Sequence, residues 1–173
     1  MKKKSVFLLL ACAVILLSVL TFSQRTVPRP ETDLEFWICD NVNDFDFSEY
    51  QPRFGLMGGR EYYGKGYQPS VGENGEQIDP AHCVIYTVTA YPDYASASSH
   101  ITRITITDPN VRIWGLTVDA SSTDIMTVME QNGFRHSTTD IGLTYKRGKI
   151  SVRFSRGSIT VSADVTNIFG IQF

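Results

Sequence analysis

Beyond residue 33 the chain is written mostly as an alternation of apolar and polar positions, the period of a strand with one buried face. Leu34, Phe36 and Ile38 alternate with Glu35, Trp37 and Cys39, which predicts a first strand. After the turn residues Asp40 to Asp44, Phe45 and Phe47 alternate with Asp46 and Ser48 and predict a second. Residues 51–80 hold most of the glycines and prolines and read as irregular structure with one hairpin. The pattern then clears. Val84, Tyr86 and Val88 share one face of a strand, Ile104 and Ile106 the same face of another, and the two runs are expected to pair.

The period changes from two to 3.6 only at residues 121–132. Ile125, Val128 and Met129 fall at i, i+3 and i+4, Ser121 or Ser122 supplies a cap, and Asp124 lies in the first turn, where it complements the helix dipole. Gly133 ends the helix and lets Phe134 fold back onto it. Three alternating runs follow: Ile141, Leu143 and Tyr145; Ile150, Val152 and Phe154; Ile159, Val161 and Val165. They are separated by the turns Lys146 to Lys149 and Ser155 to Ser158. The expectation is an α+β domain over residues 34–173, in which the helix packs on the apolar side of a C-terminal three-stranded antiparallel meander. Thr144, Ser151, Arg153, Thr160 and Ser162 fall on the other side.

The N-terminus has a different character. Lys2, Lys3 and Lys4 precede an uncharged run from Ser5 to Gln24. About 20 helical residues at ~1.5 Å each span the hydrocarbon of a bilayer. Residues 1–24 are therefore expected to be a single transmembrane helix, with the lysines holding the N-terminus in the cytoplasm and the remainder outside. The alternative is a cleaved signal peptide and a secreted domain. Residues 25–33, with Pro28 and Pro30, form the tether.

Without residues 1–24 the chain has 13 basic and 18 acidic residues, a balance unsuited to nonspecific nucleic-acid binding. The charge is clustered. Glu31, Asp33, Glu35, Asp40, Asp44, Asp46 and Glu49 contain no basic residue between them, and Lys146, Arg147, Lys149, Arg153 and Arg156 contain no acid. Either the two clusters attract each other within the fold, or the basic one faces an anionic envelope polymer or lipid headgroup.

The motifs that carry chemistry mostly fail. Gly59 to Lys65 matches G-x-x-x-x-G-K, but Gly66 stands where a phosphate-binding loop needs Ser or Thr, and Pro69 obstructs the helix that should follow. No nucleotide is expected. Asp44 and Asp46 start like a calcium loop, but Glu49 occupies the glycine position and Gly55 the closing glutamate position. No metal and no cofactor are expected. Cys39 and Cys83, the cysteines outside the apolar run, pair in a disulfide or pack as free thiols. A Cys83–histidine nucleophile and a pair of carboxylates across a cleft remain the only routes to catalysis. Tyr62, Tyr63 and Tyr67, on a glycine-rich stretch, offer flat faces with hydroxyl tips for a ligand, or else cover the sheet.

From about residue 113 to 165, Gly115, Val128 inside the helix, Gly133 after it and the sheet from Leu143 to Val165 resemble small exported modules related to β-lactamase-inhibitor proteins and outer-membrane assembly lipoproteins. As a whole the chain resembles membrane-anchored exported proteins of Gram-positive bacteria. The resemblance implies a binding or scaffolding module rather than an enzyme, and transfers no functional residue. The expected function is thus a membrane-anchored extracytoplasmic binding domain, non-catalytic, for another envelope protein or a cell-wall polymer. Tyr62, Tyr63, Tyr67 and Arg153 are its candidate contacts. The alternative is a small envelope hydrolase or transferase.

Overall fold

The alternating runs build a larger sheet than their number suggests. The computed structural model describes residues 29–54, 60–88, 100–138 and 142–163. Ten strands are present among them: β1 (Gln51–Phe54), β2 (Arg60–Tyr63), β3 (Ser70–Val71), β4 (Gln77–Ile78), β5 (Val84–Val88), β6 (Ile101–Ile106), β7 (Arg135–His136), β8 (Leu143–Arg147), β9 (Ile150–Ser155) and β10 (Ser158–Ala163). Eight of them form one sheet in the order β1-β2-β5-β6-β10-β9-β8-β7, and β3 and β4 form a separate hairpin. Every pairing is antiparallel. The one α-helix among the described residues is α1 (Ser122–Gln131).

The α+β expectation is therefore corrected to a mainly antiparallel β fold with, among the described residues, one α-helix. The meander β8-β9-β10 is not a sheet of its own, because β10 also pairs with β6, Val161 opposite Ile104 and Ile159 opposite Ile106. Its two open edges would otherwise leave a row of backbone N–H and C=O groups unpaired. Of the residues expected in the meander, Ile141 and Val165 lie outside the described residues. So does the expected transmembrane helix, residues 1–24; among the described residues no helix is long and apolar enough to cross a membrane.

The two strands expected at Leu34–Cys39 and Phe45–Ser48 are also corrected. A strand would place Trp37 on the face opposite Phe36 and Ile38, yet all three are buried. The chain bends instead: the Asp40 carboxylate accepts from the Trp37 N–H at 2.7 Å, the Asp40 N–H donates to the Trp37 carbonyl at 3.1 Å, and Cys39 takes φ +73. A 3₁₀ turn, Val42–Asp44, follows. Leu34, Phe36, Trp37, Ile38, Val42 and Tyr50 lie in one apolar cluster with Tyr86, Ile104, Val152 and Val161 of the sheet. Much of the sheet's inner face is thus covered by irregular chain rather than by helix. Phe36 stacks on Phe47 with ring centroids 4.4 Å apart, and Phe47 meets Tyr62 edge-on at 5.3 Å.

Helix α1 follows its sequence signals. Ser121 Oγ accepts from the Asp124 N–H at 3.1 Å, Ile125 and Met129 are buried, and Gly133 takes φ +76. The Phe134 N–H then donates to the Met129 carbonyl at 2.9 Å, folding Phe134 into the core.

Candidate functional site

Residues directly opposite each other in an antiparallel pair project from the same face. The strand registers therefore define the sheet's outer face in two rows. One runs Arg53, Glu61, Thr87, Arg103, Ser162, Ser151, Lys146, Arg135. The next runs Gln51, Tyr63, Ile85, Thr105, Thr160, Arg153, Thr144. Polar residues fill these rows except for Tyr63 and Ile85.

The β1-β2 end of this face is closed on itself. Arg53 Nε lies 2.8 Å from Glu61 Oε2, and its other arm pairs with Asp79, which also accepts from the Tyr63 hydroxyl. The Thr87 hydroxyl donates to Glu61 at 3.2 Å. Every acid here has a partner. Burial, then the bond to Asp79, pushes the Tyr63 hydroxyl up to about 12.

The β6-β10-β9 part is open and differently charged. Strands β6 to β10 contain not one acidic residue, and Arg103, Arg135, Lys146 and Arg153 stand in the two rows, whereas Arg147, opposite the buried Ile150, lies on the inner side. Arg103, Thr105, Ser151, Arg153, Thr160 and Ser162 line a depression of about 270 Å³. Both arginines are exposed, and neither pairs with an acid among the described residues. Of the basic cluster seen in the sequence, Arg153 stands on the outer face, whereas the acidic segment, residues 31–49, packs over the inner one.

Of the sequence candidates, Arg153 belongs to this open face and the tyrosines do not. Tyr63 is 0 % exposed. Tyr62 packs from the inner face against Phe47. Tyr67 donates its hydroxyl to Asp108. Tyr62 and Tyr63 stand on β2, and Tyr67 on the turn that follows it. The stretch that resembles a phosphate-binding loop becomes β2 followed by a turn, with Lys65 paired to Glu49; Gly59 lies outside the described residues. Arg103 and Arg135 were missed, because Arg103 sits inside an apolar strand pattern, and only the register brings it beside Arg153.

Cys39 and Cys83 are free thiols. The Cys39 N–H donates to the Ile101 carbonyl, and the Cys83 carbonyl accepts from the Thr107 N–H, both at 2.8 Å. Those anchors stand at opposite ends of β6, about 20 Å apart at ~3.3 Å per residue, far beyond the roughly 7 Å that a disulfide spans. Burial and the Asp40 charge raise the Cys39 thiol to about 11, and burial raises Cys83. Cys83 Sγ faces the Thr107 hydroxyl at 3.5 Å, and the ring of His82 points to the Thr107 carbonyl at 3.3 Å. Among the described residues no three His, Cys, Asp or Glu side chains gather as a metal site.

No family model matches the chain, and neither a curated protein nor a solved structure matches it.

Proposed function

We propose that the chain is a non-catalytic binding domain on the outer side of the cell membrane, which engages an anionic envelope component through the outer face of its sheet. One observation carries this reading: strands β6 to β10 present exposed arginines over a bed of hydroxyls with no acid among them, in a domain that is acidic as a whole. A solvated strand face ordinarily mixes both signs of charge. A face of one sign attracts counter-charged ligands and is screened by salt.

The test is sedimentation of the protein with isolated cell envelopes over a salt series. Wild type is expected to pellet at low salt and to be released as salt rises. The Arg103→Ala/Arg153→Ala variant should pellet several-fold less. Tyr67→Phe, which removes only the hydroxyl bond to Asp108, should match wild type. Equal pelleting by the double-arginine variant and wild type would sink the proposal.

A further inference from the structure

Around β10 the outer face has a pattern that goes beyond positive charge. Arg103 on β6 is opposite Ser162, which is opposite Ser151 on β9; in the next row Thr105 on β6 is opposite Thr160, which is opposite Arg153 on β9. Two three-residue rows, Arg-Ser-Ser and Thr-Thr-Arg, therefore cross three strands with the arginines at diagonal corners. Neighbouring strands are about 4.8 Å apart and alternate residues on one face about 6.6 Å apart. The arginine Cα atoms thus stand roughly 12 Å from each other, so two arginine side chains can close over β10 from opposite sides. Four hydroxyls form the floor between them.

We infer that this cleft is a phosphate subsite that reads a repeating phosphate polymer lying across the strands; the inference rests on the anionic-ligand reading above. The chemistry distinguishes among anions. A planar carboxylate directs its two oxygens into a single plane and is satisfied by one guanidinium fork. A phosphoryl group within a chain keeps two free oxygens, which its tetrahedral centre directs away from the bridging bonds on either side, so each can take one guanidinium while hydroxyl donors reach it from below. Guanidinium forks match phosphate geometry in a way that ammonium point charges do not. The charged row also continues past the cleft, through Ser151 to Lys146 on β8 and Arg135 on β7. From Arg103 to Arg135 that is four strand spacings, about 19 Å. An elongated track of this kind fits successive anionic groups better than one isolated ion. It also fits a polymer better than a bilayer: among the described residues the exposed large apolar side chains, Phe45, Val71, Ile78 and Met126, all lie off strands β5 to β10.

The experiment is a titration of the full-length chain with labelled long-chain inorganic polyphosphate, with poly-L-glutamate, and with phosphatidylglycerol vesicles, each over a salt series. Polyphosphate is expected to bind at least about tenfold tighter than polyglutamate. Arg103→Ala and Arg153→Ala should each lower its affinity and reduce the slope of log K against log salt by about 0.7, the value for one flexible-chain phosphate contact. Arg103→Lys/Arg153→Lys should abolish the preference for polyphosphate while leaving polyglutamate binding within about twofold. Equal binding of the two polymers, sensitive to the arginines, would overturn the phosphate assignment and leave the anionic face standing. Vesicles bound as tightly as polyphosphate would overturn the polymer. Polyphosphate binding indifferent to both arginines would overturn the cleft, and no binding to any of the three anions would overturn both readings. Thermal melts of the variants matching wild type show that the fold is intact.

Discussion

At the scale of single residues, Asp108 shows how one side chain ties two segments. It accepts from the Tyr67 hydroxyl, from the Asn110 N–H at 2.8 Å and from the Asn110 side-chain amide at 3.0 Å. The Tyr67 bond, then those to Asn110, hold its carboxyl below the ordinary value of 3.8. A carboxyl lowered in the folded state contributes stability that is present above the ordinary carboxylate pKa and is lost as pH falls through the folded value. Thermal melts between about pH 6 and pH 2 should therefore show a loss of melting temperature below about pH 4 that Asp108→Asn reduces. An identical acid profile in the variant would refute the role. The Tyr67 hydroxyl itself is pushed up by burial and by Asp108, so it stays protonated and able to donate throughout this range.

Among the elements, α1 and β6 show opposite relations between sequence and structure. The helix is specified locally: its cap, its acidic first turn, its apolar stripe and its terminating glycine all lie within about a dozen residues. Ser121→Ala removes one cap and should cost about 1 kcal/mol, whereas Met129→Ala empties a fully buried site and should cost about 2–5 kcal/mol. Urea midpoints at constant m-value measure both, and equal losses would contradict this account of the helix. Strand β6 is just as clear in the sequence, but its partners are not. It pairs with β5 through a short-range connection and with β10 through a long one, so the two neighbours of Arg103 could not be read from alternation alone. The irregular segment from Leu34 to Tyr50 is the converse case. Its apolar spacing imitates a strand, yet the burial of Trp37 together with Phe36 and Ile38 is satisfied by bends.

Across the whole molecule, the sheet acts as a partition. Its inner face takes the aromatic cluster and the acidic N-terminal segment, and its outer face takes Arg103, Arg153 and the hydroxyls between them. The length of β6 keeps the cysteines apart, since their anchors lie at its two ends. Alkylation of the unfolded, unreduced chain should therefore modify Cys39 and Cys83 completely, and alkylation of the folded chain at pH 8 should be slow at both, because burial disfavours their thiolates. Peptide mapping by mass spectrometry checks this, and a Cys39–Cys83 cross-linked peptide would contradict the separation.

The sequence by itself determined what depends on neighbours along the chain: the positions of β5, β6, α1 and β8 to β10, the turns between the last strands, and the split between apolar and polar faces. It also marked Arg153 as lying on the polar side. Only the tertiary structure decided which faces meet. Strand register is a long-range property, and it set Arg103 diagonally across β10 from Arg153, joined the meander to the rest of the sheet, and placed Tyr63 in a strand where its ring is buried. A period of two assigns each side chain to a side; which other side chains share that side is fixed only by the hydrogen-bond ladder between strands distant in sequence.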